Sequence, residues 1–314
     1  MPMSNPQCLQ RLPRAAAVGS TSGALDRHGF ASQRASRLTR RQALAALMLG
    51  CGAAASAQVA PLRIGVLPTL GVGLLLSNYQ PLREFLAREL NRPIEMFTSK
   101  DIPGFHRDTL DGRYDVVVSA AHLVRLVQRD AGWTPVATYA AENHPVLLVS
   151  RNAPLDSVRH LAGRQVAVNN RGALVVMVAV QWLADQGLNA GRDYELVELA
   201  NFSSAVQALQ RDEVALAIVA DLSLKQVPAA VLEGVRVLRK LPAVPTLVWA
   251  VSPRLKTDSA AIRAALLAFT PAQAQGEAFY KATGFGGMRG VSDDMLRALD
   301  PYADRARALL QARP

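Results

Sequence analysis

The sequence predicts an α/β fold, and its 314 residues leave room for two lobes beyond a leader. Two observations carry this. From Leu62 onward, short β-like runs alternate with amphipathic helical stretches. At three places, moreover, a helical stretch delivers the chain directly to an apolar strand. Leu110-Asp111-Gly112-Arg113-Tyr114-Asp115 precedes Val116-Val117-Val118, Leu155–Gly163 precedes Gln165–Asn169, and Leu209–Val214 precedes Ala215–Ala220. In open α/β sheets, ligands bind in the crevice outside the carboxyl ends of such strands.

In chain order, the expected strands are Leu62–Leu67, Ile94–Thr98, Val116–Ser119, Pro135–Tyr139, Val146–Ser150, Gln165–Asn169, Tyr194–Leu199, Ala215–Ala220, Val235–Leu238 and Thr246–Val251. Between them, Tyr79–Leu90 carries the helical stripe Leu82, Phe85, Leu86, Leu90. Leu174–Gln186 reads as an apolar helix stopped by Gly187, and Ser203–Arg211 as another with Ser203 or Ser204 as its cap. From Ala260 the pattern is helical, with Ile262, Ala265, Leu266 and Phe269 on one face. The glycine-rich Gly284–Gly290 reads as a flexible surface turn.

The first 57 residues have a different composition. Arg40-Arg41 stands just before the short apolar run Ala45-Ala46-Leu47-Met48-Leu49, and Ala55-Ser56-Ala57 offers a small-x-small cleavage site. Together they make residues 1–57 a signal peptide that resembles a twin-arginine signal, with a periplasmic mature chain. Met48-Leu49-Gly50-Cys51 only loosely resembles a lipoprotein box, so a lipid anchor on Cys51 is the lesser alternative. This leader holds seven Arg and one Asp, and removing it lowers the net charge from +10 to +4. The remaining chain has no Lys/Arg cluster with interleaved aromatics, so nucleic acid is not an expected partner. Cys8 and Cys51 leave with the leader, which excludes thiol catalysis and Cys-ligated zinc.

Four segments follow a familiar order and spacing: Leu62-Arg63-Ile64-Gly65-Val66-Leu67-Pro68, Gln80-Pro81-Leu82-Arg83-Glu84-Phe85-Leu86, Asp111-Gly112-Arg113-Tyr114-Asp115-Val116 and Leu161-Ala162-Gly163-Arg164-Gln165-Val166-Ala167-Val168. The chain resembles the type 2 periplasmic-binding-protein fold over residues 61–270. More narrowly, it resembles the phosphate/phosphite/phosphonate-binding family of ABC-transporter solute-binding proteins. The resemblance implies two α/β lobes with two hinge-crossing strands, expected near Leu147–Ser150 and Leu247–Val251, and a ligand in the interlobe cleft. Lobe one is then 61–148 plus 250–314, and lobe two 149–249. The partners implied are a small anionic ligand and an ABC permease in the inner membrane, with the protein a monomer and not an enzyme. A sensory protein signalling to a membrane kinase or cyclase is the alternative.

The leading ligand candidates are Asn169, Asn170, Arg171, Gly172 and Ala173, between a strand and the helix from Leu174. A helix N-terminus offers unpaired N–H groups and partial positive charge. The asparagines add donors, Arg171 a charge-assisted fork, and Gly172 close access to the backbone. Phosphonate-binding relatives carry a Ser/Thr-rich turn here. This chain has no hydroxyl between Asn169 and Leu174, which leaves carboxylate, sulfonate or another small anion open beside phosphonate. Ser119 and His122 follow an expected strand, His144 precedes the first crossing, Asp221 ends the strand Ala215–Ala220, and Thr69 flanks the loop after the first strand.

Other chemistry finds no support. Gly71-Val72-Gly73 follows a strand, but Leu76 stands at the third glycine position of a dinucleotide fingerprint. No G-x-S-x-G, Walker A or H-E-x-x-H motif occurs, and the histidines lack metal-ligand spacing. No catalytic residue, metal or cofactor is expected.

Overall fold

The computed structural model of the chain describes residues 59–312 except 70, 201, 225, 226 and 228. The signal-peptide features and both cysteines lie outside the described residues. Residues 58–314 make one compact unit.

Ten strands form where the alternation places them: β1 Leu62–Val66, β2 Ile94–Phe97, β3 Val116–Ala120, β4 Thr134–Tyr139, β5 Pro145–Ser150, β6 Arg164–Val168, β7 Tyr194–Glu198, β8 Leu216–Ala220, β9 Val235–Lys240 and β10 Leu247–Val251. The main helices are α1 Val72–Glu89, α2 Ile102–Leu110, α3 Ala121–Ala131, α4 Leu174–Asp185, α5 Phe202–Gln210, α6 Ser259–Ala268, α7 Ala274–Thr283 and α8 Asp300–Gln311. Leu82, Phe85 and Leu86 of the expected stripe are buried, while Leu90 is the half-buried C-cap; the helix begins at Val72, a full two turns earlier, and adds Leu75 and Tyr79 to the core. An eleventh strand, β11 Met288–Arg289, corrects the reading of Gly284–Gly290 as a flexible turn. That segment lies along β4 and the residues after it. Ala140 N–H donates to the Gly287 carbonyl at 2.8 Å and Ala141 N–H to that of Phe285 at 2.9 Å.

The strands form two sheets, ordered β11-β4-β10-β3-β1-β2 and β7-β6-β8-β5-β9. Each contains the same kernel. Three parallel strands lie side by side (β2-β1-β3, and β7-β6-β8), and each trio is followed by an antiparallel strand. That strand arrives from the other half of the chain: β5 follows β4 of the first sheet, and β10 follows β9 of the second. The parallel strands β3 and β8 are buried on both faces, which is why they read as unbroken apolar runs rather than alternations.

The passages between sheets are set by where strand pairing begins. β5 pairs with β8 and β9 from Pro145 onward, and β10 pairs with β3 and β4 from Leu247 onward. The chain therefore crosses at 140–144 and 241–246, just upstream of Leu147–Ser150 and Leu247–Val251. The two passages hold each other: Asn143 and Val244 exchange backbone hydrogen bonds of 3.2 and 2.8 Å. Helix α8 fastens the other side. Asp300 binds Arg125 of α3 at 2.6 Å, and Arg305 donates to Gln181 of α4 at 3.2 Å.

Asp115 explains the Asp-Gly-Arg-Tyr-Asp segment ahead of β3. Its buried carboxylate accepts the Arg63 amide at 2.8 Å and the Arg254 guanidinium at 3.0 Å, tying the bases of β1, β3 and the turn after β10 together. Burial by itself would raise its pKa, but the hydrogen bonds from the Arg63 side chain and amide, and the charges of Arg63 and Arg254, outweigh it and hold the group below the usual aspartate value. A carboxyl with a depressed folded pKa stabilises the fold above its unfolded value of about 3.9 and ceases to do so as pH falls through the folded value. Asp115→Asn is expected to cost roughly 1.5–3 kcal/mol at neutral pH. The gap from wild type, read by urea unfolding, should narrow below about pH 4; a gap that persists unchanged there would assign the loss to something other than the charge.

Candidate functional site

In each sheet the strand order reverses at the middle of the parallel trio, and the loops leaving the carboxyl ends on either side of that point flank a crevice. In the first sheet these loops follow β1, where Thr69 lies exposed, and β3, where Ser119 is buried and α3 begins at once. In the second they follow β6, with Asn169–Ala173 leading into α4, and β8, whose next residue is Asp221. The topology thus carries most of the residues expected from sequence to the switch points of the two sheets.

The two halves meet through helix beginnings. Ala120 and Ala173 are the N-cap residues of α3 and α4, with extended φ/ψ of −57/138° and −71/135°. Alanine has no oxygen with which to cap, and neither helix has a side-chain cap. The first-turn N–H groups have no acceptor within their own helix, and both macrodipoles present positive ends. These ends are brought together by His122, in the first turn of α3. Its Nε2 lies 3.1 Å from the Gly172 carbonyl oxygen, immediately before α4. The imidazole is fully buried, and burial pushes its pKa down to about 4 despite that hydrogen bond, so it is neutral at neutral pH.

The turn before α4 is shaped by its own residues. The Asn170 side chain accepts the Gly172 N–H at 2.7 Å, and its carbonyl accepts the Ala173 N–H at 3.1 Å. Asn170 is thereby occupied in building the turn. A side chain at Gly172 would place its Cβ 3.0 Å from Asn170 Oδ1, so the glycine keeps the turn tight. Arg171 is engaged locally in this structure. Its guanidinium donates to the Leu196 carbonyl and lies 3.8 Å from Glu198, whose carboxylate also accepts the Arg171 amide at 2.9 Å. In this structure its charge is paired along the edge of β7. An Arg on a helix-entry loop looks the same in sequence whichever way it turns, and the partner, Glu198, is remote in the chain.

His144 and Asp221 are both engaged in this structure. The His144 amide donates to Asp221 at 2.8 Å, the His144 imidazole Nδ1 lies 2.9 Å from the Leu241 carbonyl, and Lys240 pairs with Asp221 at 3.1 Å. The His144–Leu241 contact joins the two passages between sheets.

Four polar atoms on these same segments are buried without a hydrogen-bond partner: His122 Nδ1, Asn169 Oδ1, Asn143 Oδ1 and Thr246 Oγ1. Buried polar groups are paired in the large majority of cases, so several orphans on converging segments mark a place for something else. In the sequence Thr246 is the first residue of an expected strand. Leu247 of β10 pairs with Ala120, which brings Thr246 level with Ala121 at the start of α3. The turn before α4 has no hydroxyl side chain, whereas Ser119 of β3 and Thr246 before β10 belong to the first-sheet side. Two surface depressions lie elsewhere, one along α1 and β2 and one beside Leu155, His160 and Arg164. Among the described residues no cluster of three or more His, Cys, Asp or Glu has metal-binding geometry, and no helix is long and apolar enough to cross a membrane.

The profile of a family described as "ABC transporter, phosphonate, periplasmic substrate-binding protein" matches residues 64–296. Among solved structures, XAC2383 from Xanthomonas citri bound to chloride ion aligns with a TM-score of 0.69 at 15% identity, covering 79% of this chain and 99% of its own. PhnD1 from Prochlorococcus marinus in complex with methylphosphonate gives 0.69 at 8% identity, covering 79% and 98%. The periplasmic aliphatic sulphonate binding protein SsuA from Escherichia coli gives 0.61 at 20% identity, covering 81% and 94%. At such identities the likeness is one of fold, and the fold is the type 2 periplasmic-binding one. No curated protein matches the chain in sequence.

Proposed function

The chain belongs to the family of periplasmic substrate-binding proteins of phosphonate ABC transporters, and on that premise we propose that it captures a small oxyanion between its two sheets and presents it to an inner-membrane permease. The family is one of transport components, which leaves the sensory alternative without support and gives no role to catalysis. The observation that carries the reading is the meeting of two uncapped helix N-termini, α3 and α4, across the His122–Gly172 contact. First-turn amides of both helices hold the anion, Asn169, Ser119 and Thr246 complete its hydrogen bonds, and fixed dipoles replace a formal positive charge. The protein acts as an exported monomer, without chemical turnover and without nucleic acid. N-terminal sequencing of the secreted form should give a start near Gln58; a lipidated Cys51 would mean an anchored protein instead.

Each sheet is the core of one lobe, and the passages 140–144 and 241–246 are the hinge. The His122–Gly172 bond, which spans the lobes, belongs to the closed state and breaks on opening. Solution scattering should therefore record a smaller radius of gyration with saturating methylphosphonate than without it. An identical profile for free and ligand-saturated protein contradicts hinge closure.

A further inference from the structure

Helix α8, near the end of the chain, lies against helices from both halves of the molecule. Helix α3 follows β3 of the first sheet, and α4 follows β6 of the second. Leu299, just before α8, and Ala306 within it share one buried apolar cluster with Leu123 and Val127 of α3 and with Val176 and Leu183 of α4. The polar contacts of α8 are divided unequally between these two helices. Toward α3 they are charged and interlocked: Asp300 pairs with Arg125 at 2.6 Å and with Arg129 at 3.3 Å, Asp304 with Arg129 at 3.1 Å, and Arg307 with Asp130 at 2.6 Å. A lone surface ion pair contributes little, but Asp300 and Arg129 each serve two partners, and charges that form a network count for more than separate pairs. Toward α4 the contact is thinner. Arg305 donates to the neutral amide oxygen of Gln181 at 3.2 Å. Farther along, Leu309 reaches the turn before α4, where a Cβ on Gly172 would stand 4.0 Å from its Cδ1.

Helix α8 therefore bridges the two sheets by a route separate from the passages 140–144 and 241–246. Rotation about those passages must pull α8 away from α3 or peel it from α4, and the ion-pair network favours the second. We propose that α8 is a strap between the lobes, which stays with α3 when the protein opens and releases α4 at Gln181 and Gly172. A contact made only in the closed form biases the equilibrium by its own free energy, whether or not ligand is present. The strap thus sets how far the free protein favours closure. This rests on the hinge reading above and adds a device that acts without ligand.

The test is to tie the strap to α4. Gln181→Cys with Arg305→Cys puts two thiols at the contact, and Cys8 and Cys51 precede the expected mature start near Gln58, so the exported form carries no competing cysteine. A short bis-maleimide bridges the pair, and N-ethylmaleimide on the same two thiols gives the unbridged control. Intact mass verifies each product, and melting curves verify that both are folded. In solution scattering without ligand, the bridged form should have a smaller radius of gyration than the control, equal to that of the control saturated with methylphosphonate. A bridged form as expanded as the control, in a protein that methylphosphonate does compact, would overturn the strap and leave the hinge standing. If neither bridge nor ligand changed the radius of gyration, both would fall. A compact bridged form with no response to methylphosphonate would uphold the strap and count against the anion. Thiols that could not be bridged at all would show that α8 and α4 do not meet there in solution, which also overturns it.

Discussion

Replacing Ala173 with Asp is expected to raise the melting temperature while weakening methylphosphonate binding by roughly a hundredfold or more. The backbone at 173 already has N-cap geometry, and only the side chain lacks an acceptor. Aspartate there accepts an N–H from the first turn of α4, a change worth about 0.5–2 kcal/mol relative to alanine, and its charge complements the helix dipole by a further 0.3–1 kcal/mol or so. The same carboxylate occupies the donors assigned to the ligand and repels an anion. Stability and binding thus move in opposite directions, which a merely damaging substitution cannot produce. Ala173→Asn separates the two effects, since it caps without charge and should stabilise while weakening binding less. If Ala173→Asp bound methylphosphonate as wild type does, the beginning of α4 would not be the ligand's seat. Differential scanning calorimetry and isothermal titration on the three proteins read both quantities.

Gly276→Ala is expected to destabilise the protein by about 3 kcal/mol, against the direction that helix propensity suggests. Gly276 lies buried in the first turn of α7, and alanine is the better helix former by up to about 1 kcal/mol. A methyl group there would collide with the Thr270 carbonyl oxygen and stand 2.8 Å from its carbon. That backbone has little freedom to withdraw. The Thr270 oxygen accepts the Gln273 amide at 3.3 Å, and the neighbouring Phe269 carbonyl accepts the Tyr280 hydroxyl at 2.8 Å. Phe269 and Tyr280 also pack in the aromatic cluster of the first sheet, so relief by shifting α7 would disturb the core. Overpacking against fixed backbone outweighs the propensity gain. Denaturant unfolding that showed Gly276→Ala equal to or more stable than wild type would mean the turn at 269–273 can yield.

The order of elements was legible because its causes are local. Apolar runs such as Val116-Val117-Val118 and Leu216–Ala220 are continuous since parallel strands are covered on both faces, and the stripe of α1 repeats with the helical period. β11 was not legible, because a two-residue strand has no period and its glycines signal a turn; the ladder exists only because β4 is there to pair with. The start of α1 was hidden by Gly71 and Gly73, which read as loop. In the crevice, sequence marked the strand ends but not the side-chain directions. Asn169 and His122 arrive with unpaired buried atoms, whereas Arg171, His144 and Asp221 find partners in Glu198, Leu241 and Lys240, remote positions that no local pattern couples to them. Thr246 was missed for the same reason, since its importance comes from the register of β10 against β3.

In the proposed site the anion sits where α3 and α4 begin. A crystal structure of the protein with methylphosphonate bound tests it most directly. Phosphonate oxygens within about 2.7–3.2 Å of first-turn amide nitrogens from both helices are the predicted result. A phosphonate bound clear of both helix beginnings, or held by the Arg171 guanidinium in place of those amides, would contradict it.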